Sequence, residues 1–213
     1  LDEICDKYFG GGEPAAVESA KLDESKDQLV VATNAAFEPF EYTKGDKYVG
    51  IDMELAALLA EKLGKELVIQ NMDFDAVCLS VGQHKWDIAI AGLTVNDERK
   101  QYVTFSDTYY QASQRLIVPS DDDTFDDLKD ADAVAAKLGE LKKEDKIGVQ
   151  QGTTAQSYIE GDEAFGFEGL PATCQPYKSG SLAVQDMLNG NIKYVIIDAA
   201  PATAITEAIN AMQ

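Results

Sequence analysis

Four short stretches of this chain carry residue types able to hold a small charged molecule. "AGLTVNDER" (Ala91–Arg99) offers backbone N–H groups around Gly92, the Thr94 hydroxyl and the guanidinium of Arg99. A planar guanidinium beside N–H donors takes both oxygens of a carboxylate at once. "VQQGTTA" (Val149–Ala155) sets the N–H groups of Thr153 and Thr154 at a helix start, where an anion is favoured. It lacks the G-x-x-x-x-G-K-[ST] pattern, so it is not a P-loop. "VIID" ends an apolar run on Asp198, whose carboxylate can hold an ammonium, and "FEPFEY" sets Phe37, Phe40 and Tyr42 together. Taken singly, each stretch has a plainer explanation: a surface arginine, an N-cap threonine, a helix-capping aspartate, core aromatics. Taken together, a cation, an anion, several N–H donors and an aromatic face complement the zwitterion of an amino acid.

These stretches must be positioned by regular elements, and the pattern supplies them. Apolar runs at "QLVVAT", "ELVIQN", "DIAIAG", "SQRLIVP", "DKIGVQ" and "KYVIID" predict strands. Helices are predicted at "DMELAALLAEKL", with Leu55, Leu58, Leu59 and Leu63 in register and Asp52 as N-cap, and at "DFDAVCLSVGQ". Others are predicted to open at Asn96, after Gly152 and after Gly180, with a last one at "PATAITEAINAM". Strands alternating with helices predict an α/β protein with mostly parallel sheets and helices on both faces. In such sheets ligands bind where strands end, and all four stretches lie at strand exits. The chain opens with an amphipathic helix, "LDEICDKYF", stopped by Gly10–Gly12, and residues 10–27 then read as a linker.

Composition narrows the function. The 213 residues carry a net charge of −20. That opposes binding to nucleic acid or to an anionic membrane, and favours a soluble monomer. Cys5, Cys78 and Cys174 have no zinc spacing, and His84 lies alone in a polar turn, so no metal site, cofactor or catalytic cluster is expected. No transmembrane run is seen, and the first residues are acidic rather than signal-like.

From Leu29 to about Ala204 the chain resembles the family 3 periplasmic binding proteins of polar-amino-acid ABC transporters. The resemblance rests on "ATNAAFEPFEY", "YVGIDMELAALLAEKLG", "DIAIAGLTVNDERKQYVTFSDTYY", "IGVQQGTTAQSY" and "LNGNIKYVIIDAAPA", in that order. It implies a two-lobed type II fold that closes an interlobe cleft on one amino acid and delivers it to an ABC permease outside the cytoplasm. The alternatives on the same fold are the ligand-sensing domain of a receptor and, more remotely, a dehydratase. The implied lobes are residues 28–114 and 115–198, with residues 1–9 docking on the first lobe and 199–213 forming a last helix. Carried over, Arg99 holds the ligand carboxylate with Gly92, Thr94, Thr153 and Thr154, and Asp198 holds the ammonium. Phe37 packs on the side chain, whose far end meets Asn34, Ile51 and Gln150. The opening helix resembles the one that closes the family's chains, as in a permuted protein or a piece of a longer one.

Relatives that bind lysine, arginine or ornithine tend to carry aspartate three residues before the pocket aromatic, where this chain has Asn34. A neutral amide cannot neutralise a buried cation. The expected ligand is therefore neutral, polar or small, with glutamine, cysteine or serine ahead of leucine-like residues. A cationic ligand would instead require Glu38 or Glu41 to reach the pocket.

Overall fold

In the computed structural model, which describes residues 1–212, the opening residues Asp2–Phe9 form a helix, α1. The residues after it are tied down rather than loose. Val17 is buried and its N–H donates to the Tyr48 carbonyl at 2.8 Å. Ile69 N–H donates to Ser19 Oγ at 2.8 Å, and Ala20 N–H to the Leu67 carbonyl at 2.9 Å. The chain folds into two compact units, Leu1–Asp107 and Thr108–Gln213.

In the first unit, β1 (Gln28–Thr33) is buried along its whole length. A short hairpin follows, β2 (Tyr42–Lys44) and β3 (Lys47–Val49), and leads into helix α2 (Ile51–Leu63). Then come β4 (Glu66–Asn71), α3 (Phe74–Gly82) and the two-residue β5 (Ile88–Ala89). The sheet is parallel in the order β4-β1-β5, and Leu29 faces Leu67 while Val31 faces Ile69. Residues 19 and 20 lie along the outer side of β4, so that edge is covered. Alternation along β1 sends Leu29 and Val31 toward Met53, Ala56 and Ala60 of α2, and Ala32 toward Val77 and Ala91.

Helix α2 departs from the sequence reading in two ways. Its N-cap is Gly50, not Asp52, which lies inside the first turn and is fully buried. Its core face is Ile51, Met53, Ala56 and Ala60, whereas Leu58 and Leu63 are exposed. Small residues on that face allow the helix to lie close to the sheet, a preference a leucine count does not register. The helix predicted to open at Asn96 is reduced to one 3₁₀ turn, Arg99–Gln101.

In the second unit, β6 (Gln114–Ile117) and α4 (Ala131–Leu138) precede β7 (Lys146–Gln150) and α5 (Thr154–Glu160). β8 (Thr173–Tyr177), α6 (Gly180–Leu188), β9 (Tyr194–Asp198) and α7 (Ala199–Asn210) complete it. The sheet order is β6-β9-β7-β8, with β6 antiparallel to β9 and the other pairs parallel. Its core gathers Leu138, Ile147, Val149, Ala155, Ile159, Tyr194 and Ile196. The three cysteines are free thiols.

Candidate functional site

In the first unit the candidate residues cluster where β1 and β5 end. Asn34 follows β1 directly and is buried, and its Nδ2 donates to the Met72 carbonyl at 2.7 Å. The neighbouring Ala35 N–H donates to Asn71 Oδ1 at 2.9 Å, so the exits of β1 and β4 are laced together. Phe37 begins a tight loop in which its N–H donates to the Glu41 carbonyl at 2.7 Å and its carbonyl accepts from Phe40 at 2.9 Å. The Phe37 and Phe40 rings lie 6.3 Å apart, both mostly buried.

The loop after β5 comes to the same place. Gly92 has φ +55°, and a side chain there would come within 3.5 Å of the Phe37 ring and 3.9 Å of Glu41 Oε1. Its N–H donates to Asp52 Oδ2 at 2.8 Å, so the first turn of α2 fixes this loop. Further on, Arg99 Nη1 donates to the Thr94 carbonyl at 2.7 Å, and the guanidinium carbon lies 5.4 Å from the centre of the Phe74 ring. Asn96 Oδ1 accepts from the Arg99 N–H at 2.7 Å. A single turn stabilised by that side chain holds the arginine where the sequence suggested a whole helix. Ile51, expected to line the side-chain end, has no exposed surface, and its N–H donates to the Pro39 carbonyl at 3.0 Å.

In the second unit, Gln150 ends β7 almost wholly buried, and its Nε2 donates to the Lys178 carbonyl at 3.3 Å. Thr153 is the N-cap residue of α5, yet its hydroxyl donates back to the Gln150 carbonyl at 2.7 Å instead of capping the helix. Thr154 is the first residue of α5. Asp198 sits at the N-cap position of α7 without making the capping bond. One of its oxygens accepts instead from Gln114 Nε2 at 2.6 Å, across the antiparallel β6–β9 pair. This contact orients the Asp198 carboxylate, a group that can accept from several donors.

Two acidic residues lie against these loops: Asp52, expected only as a helix cap, and Glu41, named only as an alternative carboxylate for a cationic ligand. Asp52 looked like a helix cap and is instead the acceptor for Gly92. Glu41 is completely buried between the Phe37 loop and Gly92. Its only sequence signal was a carboxylate set between two aromatics, and that pattern alone does not distinguish burial from exposure. Among the described residues no cluster could hold a metal ion, and no helix is long and apolar enough to cross a membrane.

Comparison with known proteins bears on these groups. The arginine-binding extracellular protein ArtP of Bacillus subtilis (strain 168) is 39% identical over 124 residues, 57% of this chain and 48% of that protein. The ABC transporter arginine-binding protein 1 of Escherichia coli (strain K12) is 29% identical over 176 residues, 82% of this chain and 64% of that protein. The matches thus span about half to two thirds of these relatives' length. An ancestral arginine-binding protein, solved with arginine, superposes with a TM-score of 0.71 at 31% identity, over 86% of this chain and 75% of that one. An ancestral arginine-binding protein solved with glutamine gives a TM-score of 0.69 at 31% identity, over 86% of this chain and 74% of that one. Residues 29–207 match the bacterial extracellular solute-binding proteins, family 3, and the chain belongs to that family.

Proposed function

We propose that the chain captures one free amino acid outside the cytoplasm and hands it to the permease of an ABC importer, acting as a monomer and without a catalytic step. The observation that carries this reading is Arg99, a guanidinium held in place by the Thr94 carbonyl and the Phe74 ring at a strand exit. Arg99 would take the carboxylate, with Thr94 and the Thr153–Thr154 backbone supplying further donors, and Gly92 would contribute through its carbonyl, since Asp52 holds its N–H. Asp198 would take the ammonium of the same molecule, and Phe37 would cover its side chain. The protein would work in the periplasm or, as a lipoprotein, at the cell surface.

Two groups compete to set the side-chain class. Asn34 and Gln150 present neutral amides at strand exits, which favours a neutral polar ligand such as glutamine, serine or cysteine. Glu41 favours a second reading, because a buried carboxylate beside the Phe37 ring suits a cationic end group. Relatives named for arginine support that second reading, while an ancestral arginine-binding protein solved with glutamine shows that the fold also takes a neutral amide.

A thermal-shift panel of the twenty amino acids separates the two. The Asn34 reading expects the largest stabilisation from a neutral polar ligand. If arginine or lysine gives the largest shift, Glu41 takes over the role, and Glu41→Gln should then abolish that response. No response to any amino acid would overturn the proposed function itself.

Asn34→Asp is expected to move preference toward cationic ligands. It also removes the donor to the Met72 carbonyl, so a loss of stability of about 1–3 kcal/mol should accompany the change. Chemical denaturation checks the second effect independently of the first.

A further inference from the structure

Helix α2 begins on glycine, so no side chain of its own satisfies its first N–H groups. The N–H of that glycine is met from α1. The Gly50 N–H donates to the Tyr8 hydroxyl at 3.0 Å, and that hydroxyl donates to Glu54 Oε1 at 2.8 Å. Lys7 Nζ meets the same carboxylate at 2.6 Å, and the Ala15 N–H reaches it at 3.2 Å. Burial and the neighbouring Glu54 carboxylate push the Tyr8 phenol upward, so it stays a donor throughout the neutral range.

The first turn of α2 in turn holds both candidate ligand loops of its unit. Ile51 and Asp52 donate their N–H groups to the Pro39 and Phe40 carbonyls at 3.0 and 2.8 Å. The Asp52 carboxylate holds the Gly92 N–H on the other side. A second connection runs through rings: Phe9 meets Phe40 edge-on at 6.4 Å, and Phe40 packs on Phe37. Both routes start in adjacent residues of α1 and end at Phe37 or Gly92.

From these contacts we propose that Tyr8 and Phe9 are positioning residues for ligand binding: α1 caps α2 from outside and thereby sets the Phe37 ring and the Gly92 amide. The inference rests on the amino-acid-binding reading above for its effect on affinity, but not for its effect on geometry. The test therefore has two readouts on the full chain.

The first is the amide NMR spectrum without ligand. Tyr8→Phe, which keeps the ring and removes the hydroxyl, should shift the Gly92 amide resonance as well as that of Gly50. The second is calorimetry with L-arginine and with L-glutamine, at a temperature where circular dichroism shows every variant folded. Tyr8→Phe and Phe9→Ala should each weaken whichever ligand the wild type binds by about five- to tenfold, the loss of one hydrogen bond or ring contact.

A purely structural helix would lower the unfolding temperature and leave both the Gly92 resonance and the dissociation constant unchanged, and that result would overturn the proposal. If the wild type binds neither amino acid while the Gly92 amide still moves, the positioning stands and only the assignment of those ligands fails. An unmoved Gly92 amide in a wild type that binds neither would sink the positioning itself.

Discussion

Arg99→Ala should abolish amino-acid binding while leaving the far-ultraviolet circular dichroism unchanged. Removing one partner of a desolvated charge pair costs about 3–5 kcal/mol, or roughly two to four decades in dissociation constant. The fold should survive, because the Arg99 side chain is only partly buried. Arg99→Lys should fall between wild type and alanine, since it keeps the charge but loses the two-pronged geometry. Calorimetry with the best ligand from the panel measures both. Unchanged affinity in the alanine variant would remove Arg99 from the site and leave the carboxylate to the backbone donors alone.

Gly50→Ala should be the most damaging single methyl in the first unit. Gly50 has φ +129°, and a Cβ there would stand 2.1 Å from the Phe40 carbonyl oxygen, with the Phe40 carbonyl carbon at 2.5 Å. Both atoms are backbone and cannot rotate away. The start of α2 and the Phe37 loop would have to separate, at a cost of about 3 kcal/mol or more. For a chain of this size that lowers the unfolding temperature by roughly 6–12 °C. A midpoint within about 2 °C of wild type would mean that the loop and helix can part cheaply, and the positioning role given to α1 would weaken with it.

The sequence made some of this legible and hid the rest for identifiable reasons. Strands β1, β4, β7 and β9 are long apolar runs, buried on both faces, and their limits could be read directly. The hairpin of β2 and β3 was missed because "YTKGDKYV" is short and polar and buries only Val49, with no alternation to detect. β8 was missed because it contains Pro176 and carries no buried residue, as befits the edge strand it is. Helix α4 was hidden by the acidic stretch before it, although Asp130 caps it in the ordinary way, accepting from the Ala133 N–H at 2.8 Å.

Among the candidate site residues, the strand-exit positions of Asn34, Gln150 and Asp198 followed from the strand pattern. What these side chains touch did not. Asn34 to Met72, Gln114 to Asp198 and Asp52 to Gly92 join residues distant in the chain, and no local rule of spacing predicts such partners.

The external cap on α2 also bears on how the protein is made. An eight-residue helix has too few internal hydrogen bonds to persist alone in water. Lys7 must wait for Glu54, 47 positions later, which at ordinary rates of translation is roughly two to ten seconds. During that interval Ile4, Tyr8 and Phe9 have no sheet or helix to cover them. The acidic residues Asp2, Glu3 and Asp6 stand beside them, and flanking charges of this kind are what hinders an uncovered apolar stripe from adhering to neighbouring chains.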